Sequence, residues 1–201
     1  MIIISGSIVL YNNKIKQIKK VINSFLNTNL KVKLYLIDNS SNDDLKELEN
    51  IDNRIKYIFN NANLGYGKAH NIAMRKSIEN NTSYHIVLNP DIYFENDVIE
   101  KLYNYMEENQ EIGNIIPQVL YPDGEIQYLT KLLPTPIDLI FRRFIPLKSW
   151  KDKRNKKFEL KFTGYKDINN IPSLSGCFMF LRADTLKDVG LFDENIFMYL
   201  E

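Results

Sequence analysis

Apolar residues arrive in short bursts along this chain, and their period changes from burst to burst. Residues 2–11 form an apolar, β-rich run, which predicts a central strand. Asn12 and Asn13 break it. Ile15, Ile18, Ile22, Phe25 and Leu26 then recur on one helical face, which predicts an amphipathic helix. Residues 32–37 predict a second strand that ends on Asp38. "DNSSNDD" follows as a loop rich in helix-capping residues, and Leu45, Leu48 and Ile51 predict a short helix behind it. "IKYIF" is a third strand and "NNANLGYG" a loop. Residues 69–78 are helical, 86–88 a fourth strand and 98–106 another helix. Strand alternating with helix predicts an α/β layer with a mostly parallel sheet.

After Ile112 the rhythm changes. "IIPQVLYPDGEIQYL" reads as two short strands around a Pro-Asp-Gly turn. Residues 131–170 are irregular, with prolines at 134, 136 and 146. "SLSGCFMFL" is strand-like again. "RADTLKDVG" is a short helix, with Asp184 as its N-cap and Gly190 as its stop. A length of 201 residues suits one domain, and no repeat or low-complexity tract divides it.

Composition narrows the function classes. Lys+Arg 26 against Asp+Glu 25 leaves a net charge of +1, so nothing global argues for nucleic acid. The basic run "KSWKDKRNKK", residues 148–157, reads as a solvated loop or as a contact with an anionic membrane or a phosphate-bearing acceptor. The single cysteine, Cys177, excludes an intrachain disulfide, and its apolar neighbours make it a buried structural thiol. No stretch has the ~20 uninterrupted apolar residues of a membrane span. "MIIISGSIVLY" reads as a strand rather than a signal peptide.

In "HIVLNPDIYF" a buried strand ends on Asn89, Pro90 and Asp91. Proline cannot donate a ladder hydrogen bond, so pairing stops there. Ligands of open α/β sheets bind at the carboxyl ends of the strands. That edge collects Tyr11, Asn12, Asp38, Asn39, Asn63, Gly65 and Asp91, with Lys14 and Lys68 a few residues further on. A phosphate ligand there needs a divalent cation, and Asp91 offers the oxygen donor that Mg2+ or Mn2+ prefers. Each residue also has a plainer role: Asp38 as a turn residue, Asn63 and Gly65 as a tight turn, Tyr11 as packing, Asp91 as a cap. His70 and His85 lack metal-ligand spacing and read as packing or surface residues. "GYGKAH" only begins like a dinucleotide loop. His70 stands at the third glycine, and the loop follows the third strand.

Taken in order, these segments resemble the family-2 glycosyltransferases, inverting enzymes that use nucleotide sugars. "SIVLYNN" is similar to the first-strand motif, "LIDNSSNDD" to the nucleotide-binding loop, and "NANLGYGKAHNIAM" to the Asn-x-Gly loop and helix. "VLNPDIYF" stands at the place of the metal-binding Asp-x-Asp. "YPDGEIQ" with the Pro-rich stretch resembles a rhamnosyltransferase-type branch. "LSGCFMFLRADTLKDVGLFDENIFMYLE" resembles the acceptor-side segment. The resemblance implies the GT-A fold, a Rossmann-like three-layer α/β sandwich with a mostly parallel central sheet. Residues 1–112 would bind the nucleotide sugar and 113–201 would form the acceptor side of the same domain.

The same resemblance implies the site. Tyr11, Asp38, Asn39 and Asp43 would serve the nucleotide, and Asn63, Gly65 and Asn71 the pyrophosphate and sugar. Asn89 and Gly176 would also border the donor, and Asp91 would hold Mg2+ or Mn2+. Asp193 and Glu194 would shape the acceptor side, and Glu201 would be the base or its neighbour. The chain reaches only the first member of the family's Glu-Asp pair, so a C-terminally truncated, weakly active enzyme is expected. Asn89-Pro90-Asp91 replaces two acids by one, which tilts the donor towards dTDP-rhamnose among dTDP-, UDP- and GDP-linked sugars. The implied acceptor is a glycan or lipid-linked sugar of bacterial surface polysaccharide synthesis. The implied location is the cytoplasm, with peripheral contact at the inner membrane face. A nucleotidyltransferase would want a glycine-rich loop where "YNNKIK" stands. The alternative of a different class is a catalytically impaired module that binds a nucleotide sugar or glycan.

Overall fold

A computed structural model describes residues 2–133, 135, 155–165 and 170–198. In chain order the principal elements are β1 Ile4–Leu10, α1 Ile15–Leu26, β2 Val32–Asp38, a 3-10 helix Asp44–Ile51, β3 Ile55–Phe59, α2 Tyr66–Glu79, β4 Tyr84–Leu88, α3 Val98–Glu108, β5 Asn114–Ile115, β6 Phe178–Arg182 and α4 Ala183–Val189. The sheet order is β3-β2-β1-β4-β6-β5. The pairs β1–β2, β2–β3 and β1–β4 are parallel, and β6 runs antiparallel to both β4 and β5.

The strand period of two assigns the faces. Gly6 of β1 lies against Phe25 of α1, where any Cβ would strike the ring. Tyr84 of β4 lies on that same face, because Ile4 is its register partner, and it meets Tyr103 of α3 edge-on. The alternate residues face the other way. Tyr35 and Ile37 pack with Ala69 and Ala73 of α2, and Val87 packs with Met74 of α2 and Leu186 of α4. Two helices therefore cover each face of the sheet, giving three layers. α1 shows why the pattern folds this way: Ile18, Val21, Ile22, Phe25 and Leu26 are all buried, at roughly 1.5–3 kcal/mol for each large side chain.

Four sequence expectations shift. α2 begins at Tyr66, not Ala69, because Gly65 takes a positive φ of 83° and turns the chain straight into the helix. Ile51 stays exposed at the end of the 3-10 helix. Arg182, not Asp184, occupies the N-cap of α4, since β6 runs directly into the helix; Asp184 pairs with Lys187 in the first turn. Cys177 is only partly buried.

The chain divides into two compact units, Met1–Ile115 with Gly176–Glu201, and Ile116–Ser175. In the second unit the Pro-Asp-Gly turn carries a single antiparallel bridge, Leu120 to Ile126, rather than two strands. Pro117 and Pro122 offer no N–H to extend a ladder. The Tyr165 hydroxyl ties this unit, accepting from Thr130 N at 3.0 Å and sharing its one proton between the Thr130 and Glu159 carbonyls. Of the basic run, residues 148–154 lie outside the described residues, as does Glu201. Among the described residues, no helix is long and apolar enough to cross a membrane.

Candidate active site

β1 is the switch point of the sheet: β2 and β3 lie on one side of it and β4 on the other. A crevice opens beyond the carboxyl ends of strands at such a point. Here it holds a cleft of about 180 Å3. Val9, Tyr11 and Asn13 line it from the end of β1, Asn39 from β2, and Asn89 and Pro90 from β4. Asn63, Gly65, Tyr66 and His70 come from the loop and start of α2, with Met198 from the C-terminal segment. The described lining residues include no charged side chain.

The walls are held by short amide contacts. Asn39 Nδ2 donates to the Gly65 carbonyl at 3.1 Å, and Asn60 Nδ2 donates to Asn39 Oδ1 at 2.8 Å. Gly65 N donates to Asn63 Oδ1. A Cβ on Gly65 would collide with the Phe197 carbonyl oxygen, which accepts from Tyr66 N at 3.0 Å. The backbone therefore needs glycine there to receive the 197–198 segment. Gly176 also serves a close approach. Its carbonyl accepts from the Tyr66 hydroxyl, and a Cβ would sit 2.9 Å from that oxygen.

Asp38 ends β2 one residue before the cleft-lining Asn39, fully buried, with both oxygens engaged. Tyr57 Oη donates to Oδ2 at 2.6 Å and Ser40 N to Oδ1 at 2.8 Å. Burial, and then this hydrogen bond, push the Tyr57 hydroxyl well above the usual tyrosine range. Asp43 is exposed and pairs loosely with Lys46 at 3.9 Å. Asn71 spends its amide on the segment after α4. Nδ2 donates to the Phe192 carbonyl and to Glu194 Oε1, and Oδ1 accepts from Phe192 N. Glu194 is bonded to Arg75 as well, which, with Asn71, holds its carboxyl below the usual range. Asp193 accepts from Asn195 in a local turn. The structure thus brings Tyr11, Asn39, Asn63, Gly65 and Asn89 together. Asp38, Asp43, Asn71, Asp193 and Glu194 are not among the residues that line the cleft.

Asp91 follows Pro90 at the rim. It is exposed, and among the described residues no hydrogen bond or ion pair engages it. A free carboxylate beside a neutral cleft fits one role for a hard cation, that of a single protein ligand completed by water and phosphate oxygens. It does not amount to a protein cage: among the described residues, no three His, Cys, Asp or Glu side chains gather.

The sequence reading missed Asn13, Tyr66, Met198 and, above all, His70. Both histidines are buried and neither is on the surface. Ser5 and Ser7, polar residues on the helix-facing side of a central strand, were the available signal. Their hydroxyls bond the two rings.

The description "Glycosyl transferase family 2" matches residues 7–190. This chain belongs to that family. The protein is 27% identical over 196 residues to an N-acetylglucosaminyl-diphospho-decaprenol L-rhamnosyltransferase of Mycobacterium tuberculosis (strain ATCC 25618 / H37Rv), a match covering 88% of this chain and 60% of the relative. The same figures hold for the protein of that description in strain CDC 1551 / Oshkosh. The chain thus spans about 60% of the length of these curated relatives. Among solved structures, S. aureus TarS superimposes with a TM-score of 0.58 at 18% identity, covering 98% of this chain and 31% of that one. The mannosyltransferase PcManGT from Pyrobaculum calidifontis, solved in complex with GDP-Man and Mn2+, gives 0.58 at 10% identity, covering 96% and 48%. These structures share the GT-A fold of the glycosyltransferase.

Proposed function

We propose that this glycosyltransferase moves a sugar, rhamnose or another hexose, from a nucleotide-diphosphate donor to a hydroxyl of a glycan or lipid-linked acceptor. The observation that carries the reading is the neutral, amide- and tyrosine-lined cleft at the switch point, with the unengaged Asp91 carboxylate at its rim. Amides and tyrosines hydrogen-bond neutral polar groups and stack on rings. They cannot balance a diphosphate. Asp91 would hold Mg2+ or Mn2+, which when bound stabilises the negative charge developing on the leaving diphosphate. The Mn2+ and GDP-Man in the mannosyltransferase neighbour support both halves of this assignment. The L-rhamnosyltransferase relatives, named for an N-acetylglucosaminyl-diphospho-decaprenol acceptor, favour a deoxysugar donor and a lipid-linked acceptor; surface polysaccharide synthesis is the setting the family resemblance implies.

The chain's own residues supply orientation. Asp38 fixes the loop after β2 through Ser40 and Tyr57, and Asn39 links that loop to Gly65. The acceptor's proton needs a general base on the far side of the sugar. By the family resemblance Glu201 would be that base or its neighbour, while Asp193 and Glu194, already engaged with Asn195 and with Asn71 and Arg75, would shape the acceptor side. That engagement is also what favours the second reading, a binding module without efficient transfer.

Calorimetry with dTDP-, UDP- and GDP-sugars tests the proposal. One donor class should bind, and Mn2+ should tighten it. Asp91→Ala should remove the metal dependence while leaving the melting temperature unchanged, since the side chain is exposed and no hydrogen bond or ion pair among the described residues engages it. Equal affinity with and without Mn2+ would overturn the metal role. Binding without turnover over an acceptor panel would select the second reading.

A further inference from the structure

Six buried polar side chains form a continuous chain on the α2 side of the sheet: Thr82, Ser77, Ser5, His85, Ser7 and His70. Ser77 and Thr82 bond through their hydroxyls. Ser5 Oγ donates to Ser77 Oγ at 2.8 Å and lies 2.7 Å from His85 Nδ1. Ser7 Oγ lies 2.8 Å from His85 Nε2 and 2.7 Å from His70 Nδ1. The far end of the chain is His70 Nε2. It is buried without a partner among the described residues, and its ring forms part of the cleft wall.

With Ser5 as the donor to Ser77 and Thr82 as the donor to the Ser77 carbonyl, proton counting gives what that nitrogen offers. A neutral imidazole has one N–H and one lone pair, and a hydroxyl has one proton to give. Ser5 gives its proton to Ser77, so it accepts from His85 Nδ1–H. His85 Nε2 is then bare and accepts from Ser7. Ser7, having given its proton, accepts from His70 Nδ1–H. Ser77 donates onward to Thr82, which donates to the Ser77 carbonyl. The chain closes with every hydroxyl donating once and leaves a bare lone pair on His70 Nε2.

We infer that His70 Nε2 is a hydrogen-bond acceptor for a hydroxyl of the bound donor, with its tautomer set by Ser7 and the chain behind it. The inference rests on the nucleotide-sugar reading of the cleft. A bare lone pair repels phosphate oxygen and selects a group that carries a proton, either a ribose hydroxyl or one on the transferred sugar. Burial, joined for His70 by its neighbour His85, lowers both rings to about 3, so neither supplies a cation for the diphosphate. The nitrogen is shielded in the unliganded chain. The Tyr66 ring packs edge-on to the His70 ring, 4.4 Å between centroids, and Met198, which also lines the cleft, is unbranched and 46% exposed and so able to give way.

These are the only two histidines in the sequence, so a 15N-histidine spectrum of the whole chain contains two rings. Both should be neutral Nδ1–H tautomers at pH 7. Saturating nucleotide sugar should shift His70 Nε2 towards a hydrogen-bonded value. A shift with the nucleoside diphosphate alone assigns the ribose hydroxyl, and one that needs the full donor assigns the sugar. Ser7→Ala should change the His70 tautomer balance, and His70→Phe should weaken donor binding about fivefold to tenfold, the worth of one hydrogen bond. An unmoved His70 Nε2 signal under calorimetrically proven binding would overturn the inference while leaving the proposed function standing. A signal already bonded to water and unchanged by ligand does the same. No binding of any nucleotide or nucleotide sugar overturns both.

Discussion

The Tyr57 hydroxyl, from the middle of β3, donates a 2.6 Å hydrogen bond to Oδ2 of Asp38, the last residue of the neighbouring parallel strand β2. Both groups are buried, so the pair is worth most as a unit. Tyr57→Phe leaves a buried carboxylate oxygen unpaired. The expected cost is about 1–3 kcal/mol, read as a lower urea midpoint with an unchanged slope. The loop at 39–43 should loosen with it and weaken nucleotide affinity. An unchanged midpoint would show that Asp38 finds water instead.

Stability should fall on the acid side of neutrality. Both histidines have folded-state pKa values lowered to about 3, with burial as the main cause. Below the ordinary 6.5 the unfolded chain binds protons that the folded chain refuses. Their contribution is therefore complete above pH 6.5 and is lost as pH falls towards 3. Each ring costs up to about 1.4 kcal/mol per pH unit in that window. Unfolding at pH 5 should take up close to two protons from these rings, measurable by calorimetry in buffers of different ionisation enthalpy. A stability flat between pH 7 and 5 would contradict the buried chain.

Gly65→Ala tests the covering segment. The position has a positive φ, and the added methyl group meets the Phe197 carbonyl. A loss of about 1 kcal/mol or more is expected from the backbone alone. The Tyr66 N–Phe197 O bond should open, and protection of the Tyr66 amide against hydrogen exchange should fall furthest. Equal protection in variant and parent would show that residues 197–198 are not held there.

Arg182 joins three elements through one side chain. Nε donates to the Ile112 carbonyl, Nη1 to Tyr84 Oη and Gln110 Oε1, and Nη2 to the Met106 and Asn109 carbonyls. Those two carbonyls close the end of α3. Lysine has no planar fork to reach this set. Arg182→Lys should cost about 2 kcal/mol, from several charge-assisted bonds lost at once, and lower the melting temperature without altering donor affinity. Parent-like stability would mean that the ammonium satisfies the set.

Much of this was legible along the chain. Alternating bursts placed β1, α1, β2, β3 and β4 within a few residues, because local periodicity reports which face of an element is buried. The strand-end polar residues pointed to the cleft for the reason that open sheets bind ligands there. Asp38 shows where such reading stops. Its position after a strand was visible, but its carboxylate turns inwards, since Tyr57 from β3 and Ser40 from its own loop reach it first. Asn71 is similar: it sits in the expected motif and spends its amide on Phe192 and Glu194, more than a hundred residues away.

The sequence alone determined the layered α/β plan, the family pattern and the strand ends on which Tyr11, Asn39, Asn89 and Asp91 stand. Only the tertiary structure decided which polar groups remain free for a ligand. A hydrogen bond consumes a donor or acceptor, and its partner is chosen by spatial contact rather than spacing. Ser5, Ser7, Ser77, His85 and His70 are scattered over three segments, and no periodicity links them. Their registry across β1, β4 and α2 makes one chain of them and leaves a single nitrogen unspent at the cleft.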